Sequence, residues 1–322
     1  MTVGGCGIFD GWTLDHPFYS DAFEALTSEI DSALAGGGGF VLLLLGPSGS
    51  GKTELIKDIC SRYKDRLGPQ GHSQVMSVET PTAATEDALP LRIIEQLFGG
   101  MPRKYRKGEA MQRAVQALES AGIMILFADE INHFAEARSN VSIQTKANRR
   151  IADWFKGMSD AGKVSLVLTG LPHSRQLVID NEQLLRRALR PIELKPYRWS
   201  VPQQRRAFAQ VVAAFCSRMQ ECGWLVSIAL EALVPRAYAC SGGLIGALKK
   251  LFTSAEHLGR SERNLSADLL SRAYARAFDL PGIADPFIGK VPGDEVLNYA
   301  YQHGLGRPNH HAVHRTSHGP TT

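Results

Sequence analysis

Two short stretches place residue types at spacings suited to chemistry on phosphate. The first, Gly46-Pro47-Ser48-Gly49-Ser50-Gly51-Lys52-Thr53, fits the pattern G-x-x-x-x-G-K-[ST], and Glu54 follows it directly. Glycines let successive backbone N–H groups turn inward and approach phosphate oxygens with no Cβ in the way. A helix opening near Thr53 adds its positive end to the same spot. Lys52 can reach the β and γ phosphates of a nucleoside triphosphate as a point charge, and the Thr53 hydroxyl can ligate Mg²⁺. Gly46 through Glu54 are therefore the candidate nucleotide contacts, with ATP and Mg²⁺ as the expected ligands. A glycine-rich turn that merely joins a strand to a helix would explain the glycines but not Lys52 followed by Thr53.

The second stretch, IMILFADE, ends a buried apolar run on Asp129 and Glu130. Asp129 would hold the Mg²⁺ shell, and Glu130 would orient or deprotonate the attacking water, because phosphoryl transfer asks a protein mainly for positioning and charge compensation. A solvated acidic pair capping a strand is the plain alternative. The pairing with the upstream phosphate loop is what favours the Walker A and Walker B assignment. A third run, KVSLVLTG, ends with Thr169, a small hydroxyl residue able to bond both water and phosphate, and it takes the sensor 1 role. Beyond it Arg175, Arg186, Arg187 and Arg190 are candidates for a cation delivered to a neighbouring subunit, since a guanidinium is permanently charged and planar; a solvated basic helix face is the competing reading.

These side chains need a scaffold. FVLLLL (40–45), QVMSVET (74–80), GIMILFAD (122–129) and KVSLVLTG (163–170) are short continuous apolar runs, the pattern of strands buried on both faces, and helix-patterned sequence separates them. The alternation predicts a parallel α/β sheet in which the two phosphate-site strands are not consecutive along the chain, and another strand lies between them in the sheet. An amphipathic helix is expected over His16 to Leu34, ended by the glycine run 36–39. After a last short strand at 192–194, the helical stretches near 202–220, 227–239, 243–258 and 266–278 read as a wholly helical second part. The expected fold class is thus an α/β P-loop NTPase: a parallel sheet flanked by helices, then a small all-helical lid. The expected organisation is an N-terminal segment with entry helix (1–35), the core (36–200), the lid (201–280) and a Gly-, Pro- and His-rich tail (281–322), read as partly disordered.

Bulk properties fit a packed cytoplasmic protein. The chain has 322 residues, 44% of them hydrophobic, with no run of eighteen apolar residues and no basic-then-apolar start, so neither a membrane span nor a signal peptide is expected. Five cysteines without CxxC spacing suggest reduced thiols rather than disulfides or zinc. A net charge of +4 means that any nucleic-acid surface must be a local patch.

The residues also resemble a known family, the TniB and TnsC type AAA+ ATPases that regulate DNA transposition. The likeness rests on HPF (16–18), GPSGSGKT, ILFADEINHF (125–134), LTGLPHSRQLVIDNEQLLRRA (168–188), KPYRW (195–199), SGGLIGALKKLF (241–252) and DPF (285–287), and spans roughly residues 12–290. The phosphate-site elements say only P-loop ATPase; the order of the later motifs points to this branch. By the resemblance Arg187 is the first choice for the intersubunit finger and Arg186 the second, although the family's following Phe is Ala188 here. Related proteins carry a sensor 2 arginine after the lid glycine, whereas Ala247 follows Gly246. Lys249 or Lys250 could substitute, or nucleotide could be gripped without that residue.

The resemblance implies a slow, assembly-dependent ATPase that forms rings or helical filaments on double-stranded DNA and recruits a DDE transposase with a TniQ-like adaptor. The best DNA candidate is the basic loop PRKYRKG (102–108), whose Arg103, Lys104, Arg106 and Lys107 could neutralise phosphates; a solvated connector is its bland alternative. KANRRIADWFKG (146–157) is a second basic stretch, with Ile151, Trp154 and Phe155 expected to pack inside or against a neighbour. Two other classes share the core: helicase loaders, and signalling ATPases of the STAND kind, whose long repeat sensors have no counterpart after the last clear helix.

Overall fold

The computed structural model describes residues 7–37, 39–82, 85–99, 106, 108–135, 141–160, 164–278 and 284–303. The chain divides into two compact units. One comprises Phe18–Gly46 and Lys52–Leu194; the other comprises the first residues to Pro17, the loop Pro47–Gly51, and everything from Lys195.

In the first unit the elements follow in the order α1 (Pro17–Leu34), β1 (Val41–Leu45), α2 (Lys52–Arg62), β2 (Val75–Glu79), α3 (Ala88–Phe98), α4 (Glu109–Ala121), β3 (Ile125–Asp129), α5 (Asn132–Ala135), α6 (Val141–Asp160), β4 (Ser165–Gly170), α7 (Arg175–Ile179), α8 (Glu182–Leu185) and β5 (Ile192–Glu193). The five strands form one parallel sheet in the order β2-β3-β4-β1-β5. β4 therefore lies between β1 and β3, the arrangement that the non-consecutive reading expects.

The continuous apolar strands are explained by cover on both faces. Val41, Leu43 and Leu45 of β1 join a core with Leu89 and Ile93 of α3, Leu118 of α4, and Ile151, Trp154 and Phe155 of α6. Leu42 and Leu44, pointing the other way, join Leu26 and Ile30 of α1 and Leu55, Ile56 and Ile59 of α2. Side chains alternate between faces along a strand, so both faces need apolar residues. Each fully buried leucine contributes roughly 1.5–3 kcal/mol. This core fixes the C-terminal tips of β1, β3 and β4, where the chemistry-bearing residues sit.

The second unit contains α9 (Pro202–Glu221), β6 (Leu225–Val226), α10 (Leu230–Ser241), α11 (Ile245–Leu258), β7 (Asn264–Leu265), α12 (Ala267–Ala277) and α13 (Asp294–His303). The expectation of a wholly helical part needs correction, because β6 and β7 pair in parallel. Two-residue strands are too short to show a period in sequence. The tail reading also changes for residues 294–303, which are helical: Leu297 and Ala300 of α13 are buried, Trp199 Nε1 donates to Asp294 Oδ1 at 2.9 Å, and Arg198 Nε donates to Tyr301 Oη at 3.0 Å.

The start of the chain is held within this second unit. Phe9 meets Phe215 with ring centroids 5.3 Å apart, and Arg218 Nε donates to the Ile8 carbonyl at 3.2 Å. His16 Nδ1 lies 2.8 Å from Tyr197 Oη, and burial lowers the imidazole pKa to about 4 against a weaker opposing pull from Asp15. A neutral histidine is the folded form. Because the folded pKa lies below the unfolded value, the unfolded chain binds the extra proton between the two, and stability falls as pH drops from 6.5 towards 4. The loss attributable to His16 is up to about 3 kcal/mol. Urea unfolding of the parent and of His16→Gln across that window should show the variant with the shallower pH dependence.

Candidate nucleotide site

β1 delivers the chain into the phosphate loop, and the sheet continues one residue further, since Gly46 N–H donates to the Gly170 carbonyl at 3.2 Å. The loop turns at Gly49 and Gly51, with φ of 77° and 95°, a region that side chains other than glycine seldom adopt. Ser50 N–H closes onto the Pro47 carbonyl at 3.2 Å. α2 begins at Lys52, one residue before the expected start.

Lys52 is only 5% exposed, and its Nζ donates to the Gly46 carbonyl at 2.8 Å. Burial holds its pKa below the ordinary lysine value, while Glu130 and then Asp129 pull it back up. Thr53 Oγ1 donates to Asp129 Oδ2 at 3.1 Å, which joins the two phosphate-site motifs through one hydrogen bond across 76 positions of sequence. Asp129 Oδ1 accepts the Glu130 N–H at 2.9 Å. The Asp129 carboxyl is raised above the usual carboxylate range by burial, offset by those two hydrogen bonds. Glu130 itself has φ 56°, a strained value for a non-glycine residue.

Thr169 stands on the intervening strand with 0% exposure, and the next segment is tied to it, because Ile131 N–H donates to the Thr169 carbonyl at 2.9 Å. Among the described residues Thr169 Oγ1, Asn132 Oδ1, Ser174 Oγ and Ser50 Oγ are buried with no hydrogen-bond partner. Asn132 and Ser174 flank Gly170 so closely that a Cβ there would lie 2.7 Å from Ser174 Oγ and 3.2 Å from Asn132 Oδ1. Unpartnered buried polar atoms cost about 1–3 kcal/mol each, so the pair Asn132 Oδ1 and Ser174 Oγ beside Gly170 marks a place built to meet polar ligand atoms or water. Sequence reasoning missed Asn132 and Ser174. The only signal was their nearness to Glu130 and Thr169 in the chain.

Other expected residues sit elsewhere. Glu54 is exposed, and its side chain is paired with Lys57 at 2.9 Å. One residue past Thr53 on α2 it is rotated about 100° around the helix axis. Arg186 is exposed and bonded to Glu182, and Arg187 Nη1 donates to the Gln183 carbonyl at 3.4 Å. Arg106 is exposed; Arg103, Lys104 and Lys107 lie outside the described residues. Lys249 Nζ reaches the Trp12 carbonyl at 3.5 Å, and Lys250 Nζ lies 5.0 Å from the centre of the Phe278 ring. Ile151, Trp154 and Phe155 are buried as expected.

The donor set suits Mg²⁺ better than a cation held wholly by protein. Mg²⁺ is usually bound through one or two carboxylates plus substrate phosphates and water. Here one buried carboxylate and one hydroxyl meet beside the phosphate loop. Among the described residues no cluster of three or more His, Cys, Asp or Glu could hold a metal by itself, and no helix is long and apolar enough to cross a membrane.

A parallel sheet with this strand order, carrying a phosphate loop, a strand-end Asp-Glu pair and a polar residue on the strand between, defines a P-loop ATPase of the AAA+ class. Three solved structures share the fold. The Orc1 protein of Aeropyrum pernix, determined in complex with DNA, aligns with a TM-score of 0.61 at 18% identity over 81% of this chain and 65% of that one, so this chain spans less than two thirds of it. Cdc6p of Pyrobaculum aerophilum gives 0.63 at 14% identity, covering 88% and 74%. The Orc2 protein of Aeropyrum pernix, in ADPNP-ADP complexes, gives 0.56 at 16% identity, covering 84% and 71%. No curated protein matches by sequence. The family model of the bacterial TniB protein matches residues 37–199, about half of the chain, and the chain belongs to the TniB family.

Proposed function

We propose that this TniB-family ATPase is an ATP-switched oligomer that binds double-stranded DNA, marks a target site for transposition, and recruits and activates a DDE transposase together with a TniQ-like adaptor. The observation that carries the nucleotide part is the hydrogen bond from Thr53 to Asp129, which draws the two phosphate-site motifs into one centre. Membership of the TniB family carries the assignment to transposition.

Each residue has a task in that reading. Thr53 and Asp129 would hold Mg²⁺, which when bound neutralises charge on the phosphates. Lys52 places a fixed positive charge beside the loop carbonyl of Gly46, where a γ-phosphate would otherwise meet only neutral amides. Glu130 accepts a proton from the attacking water, and the Thr169 hydroxyl orients that water or a γ-phosphate oxygen. Arg187, with Arg186 second, is supplied to the neighbouring protomer's site, so hydrolysis waits on assembly. The test is electron microscopy with duplex DNA and a nonhydrolysable ATP analogue. Rings or helical filaments enclosing DNA support the proposal; monomers indifferent to nucleotide defeat it. Co-purification with a replicative helicase instead of a transposase would move the protein to the loader class.

The DNA contacts are assigned to Arg103, Lys104, Arg106 and Lys107. Four phosphate contacts correspond to about 3.6 in the slope of log K against log salt. Replacing all four by glutamine is expected to lower that slope by about 3–4 and to weaken binding equally on unrelated duplexes. Fluorescence anisotropy over a salt series measures both, and an unchanged slope would place the DNA surface elsewhere.

A further inference from the structure

The sequence leaves open what replaces the sensor 2 arginine. Lys249 and Lys250 are both turned to other partners, the Trp12 carbonyl and the Phe278 ring. What does reach the phosphate loop is backbone. Gly246 N–H, in the first turn of α11, donates to the Gly49 carbonyl at 2.9 Å. The approach is so close that a Cβ on Gly246 would lie 2.4 Å from Gly49 O, 2.8 Å from its Cα and 3.0 Å from its carbonyl carbon. The packing is reciprocal: a Cβ on Gly49 would find Leu244 Cδ2 at 3.6 Å and the Gly246 Cα at 3.7 Å. Consistently, Pro47–Gly51 groups with the helices from Lys195 onward rather than with the strand and helix on either side of it.

We infer that Gly246 is a positioning residue for nucleotide binding: its N–H and its missing side chain hold the apex of the phosphate loop at Gly49, doing through backbone what a sensor 2 side chain does elsewhere. This rests on the ATPase reading of the loop. Gly49 sits at φ 77°, and because a glycine backbone is free to take many other conformations, the hydrogen bond to its carbonyl is what fixes which way the neighbouring amides face. Those amides are the groups that would meet phosphate. The contact also couples two events. Whatever orders the loop orders the start of α11, and by linkage a shift in α11 changes the loop's affinity by the same factor.

Gly246→Ala raises helix propensity, so weaker binding could not come from a weakened helix, and the added methyl group is forced out of van der Waals overlap with backbone that has no side chain to swing away. Forcing an extra methyl group into a closely packed contact shifts an equilibrium by about 10- to 100-fold, so the variant is expected to bind ATP and ADP about 10- to 100-fold more weakly than the parent. Its melting temperature without nucleotide should fall by a few degrees at most, and its rise on adding Mg-ATP should be smaller than the parent's by what a 10- to 100-fold weaker Kd gives. Lys249→Ala and Lys250→Ala should bind ATP within about twofold of the parent, far below the tenfold that 1.4 kcal/mol represents. Isothermal titration calorimetry and thermal shift read these values. A second measurement needs no variant: amide exchange at Gly246 in the parent should slow when Mg-ATP is added. Parent-like ATP affinity in Gly246→Ala, or exchange at Gly246 indifferent to nucleotide, would overturn the inference while leaving the ATPase reading intact. A parent that binds no ATP would overturn both.

Discussion

Lys52→Ala is expected to abolish ATP binding and, with it, assembly on DNA. The Lys52 ammonium is buried against the Gly46 carbonyl and in the field of Glu130 and Asp129, so it is already desolvated before a phosphate arrives. Truncating one partner of a buried, hydrogen-bonded charge pair costs about 2–5 kcal/mol, a loss of roughly 30- to several-thousandfold in affinity. The folded state should survive the change. Burial depresses the lysine's pKa, which means that folding pays a desolvation cost to keep the charged form, and alanine removes that cost along with the bond to Gly46. Thermal denaturation separates the two consequences. Without nucleotide the variant should melt near the parent; with Mg-ATP at a hundred times the parent's Kd, the parent gains about 2.7 kcal/mol and the variant less than about 0.9 kcal/mol. A variant that still coats DNA in an ATP-dependent way would remove Lys52 from the switch.

The legible parts of this molecule were those in which cause and effect lie close together along the chain. A strand covered on both faces must be apolar throughout, so β1, β3 and β4 announce themselves, and their tips carry Gly46, Asp129 and Thr169 as a direct result. The phosphate loop is legible for a similar reason, since its glycines, Lys52 and Thr53 act within one turn of backbone. Two kinds of feature were hidden. Asn132 and Ser174 become neighbours only because β3 and β4 are adjacent, and neither has a motif of its own. The contact between Gly246 and Gly49 is a backbone encounter across nearly two hundred residues, and a glycine that lets two backbones touch looks in sequence like any other glycine. Helix α13 was masked by composition: glycine, proline and histidine on either side suggested disorder, while its stability comes from Leu297 and Ala300 and from side chains donated by Arg198 and Trp199.

Glu130→Gln should leave ATP bound and stop it from being cleaved. A carboxylate that takes a proton from the attacking water contributes about 10²–10⁴-fold to turnover, which is roughly 3–5 kcal/mol of barrier. Glutamine keeps the shape and loses the basicity. The backbone around Glu130 argues that its carboxylate is placed rather than incidental: φ of 56° costs of order 1–3 kcal/mol, and the conformation is pinned by Glu130 N–H donating to Asp129 Oδ1 at 2.9 Å and by His133 N–H donating to the Glu130 carbonyl at 3.1 Å. Strain of that size persists only where the surroundings over-determine it. Because those two bonds use backbone atoms and the Asp129 carboxylate, the substitution leaves them in place, and ATP affinity should stay within about twofold of the parent while phosphate release in a single turnover slows by about 10²–10⁴. Complexes on DNA should then persist with ATP where the parent's decay. Equal loss of affinity and turnover would show that Glu130 binds rather than reacts, and unchanged turnover would remove Glu130 from the catalytic role.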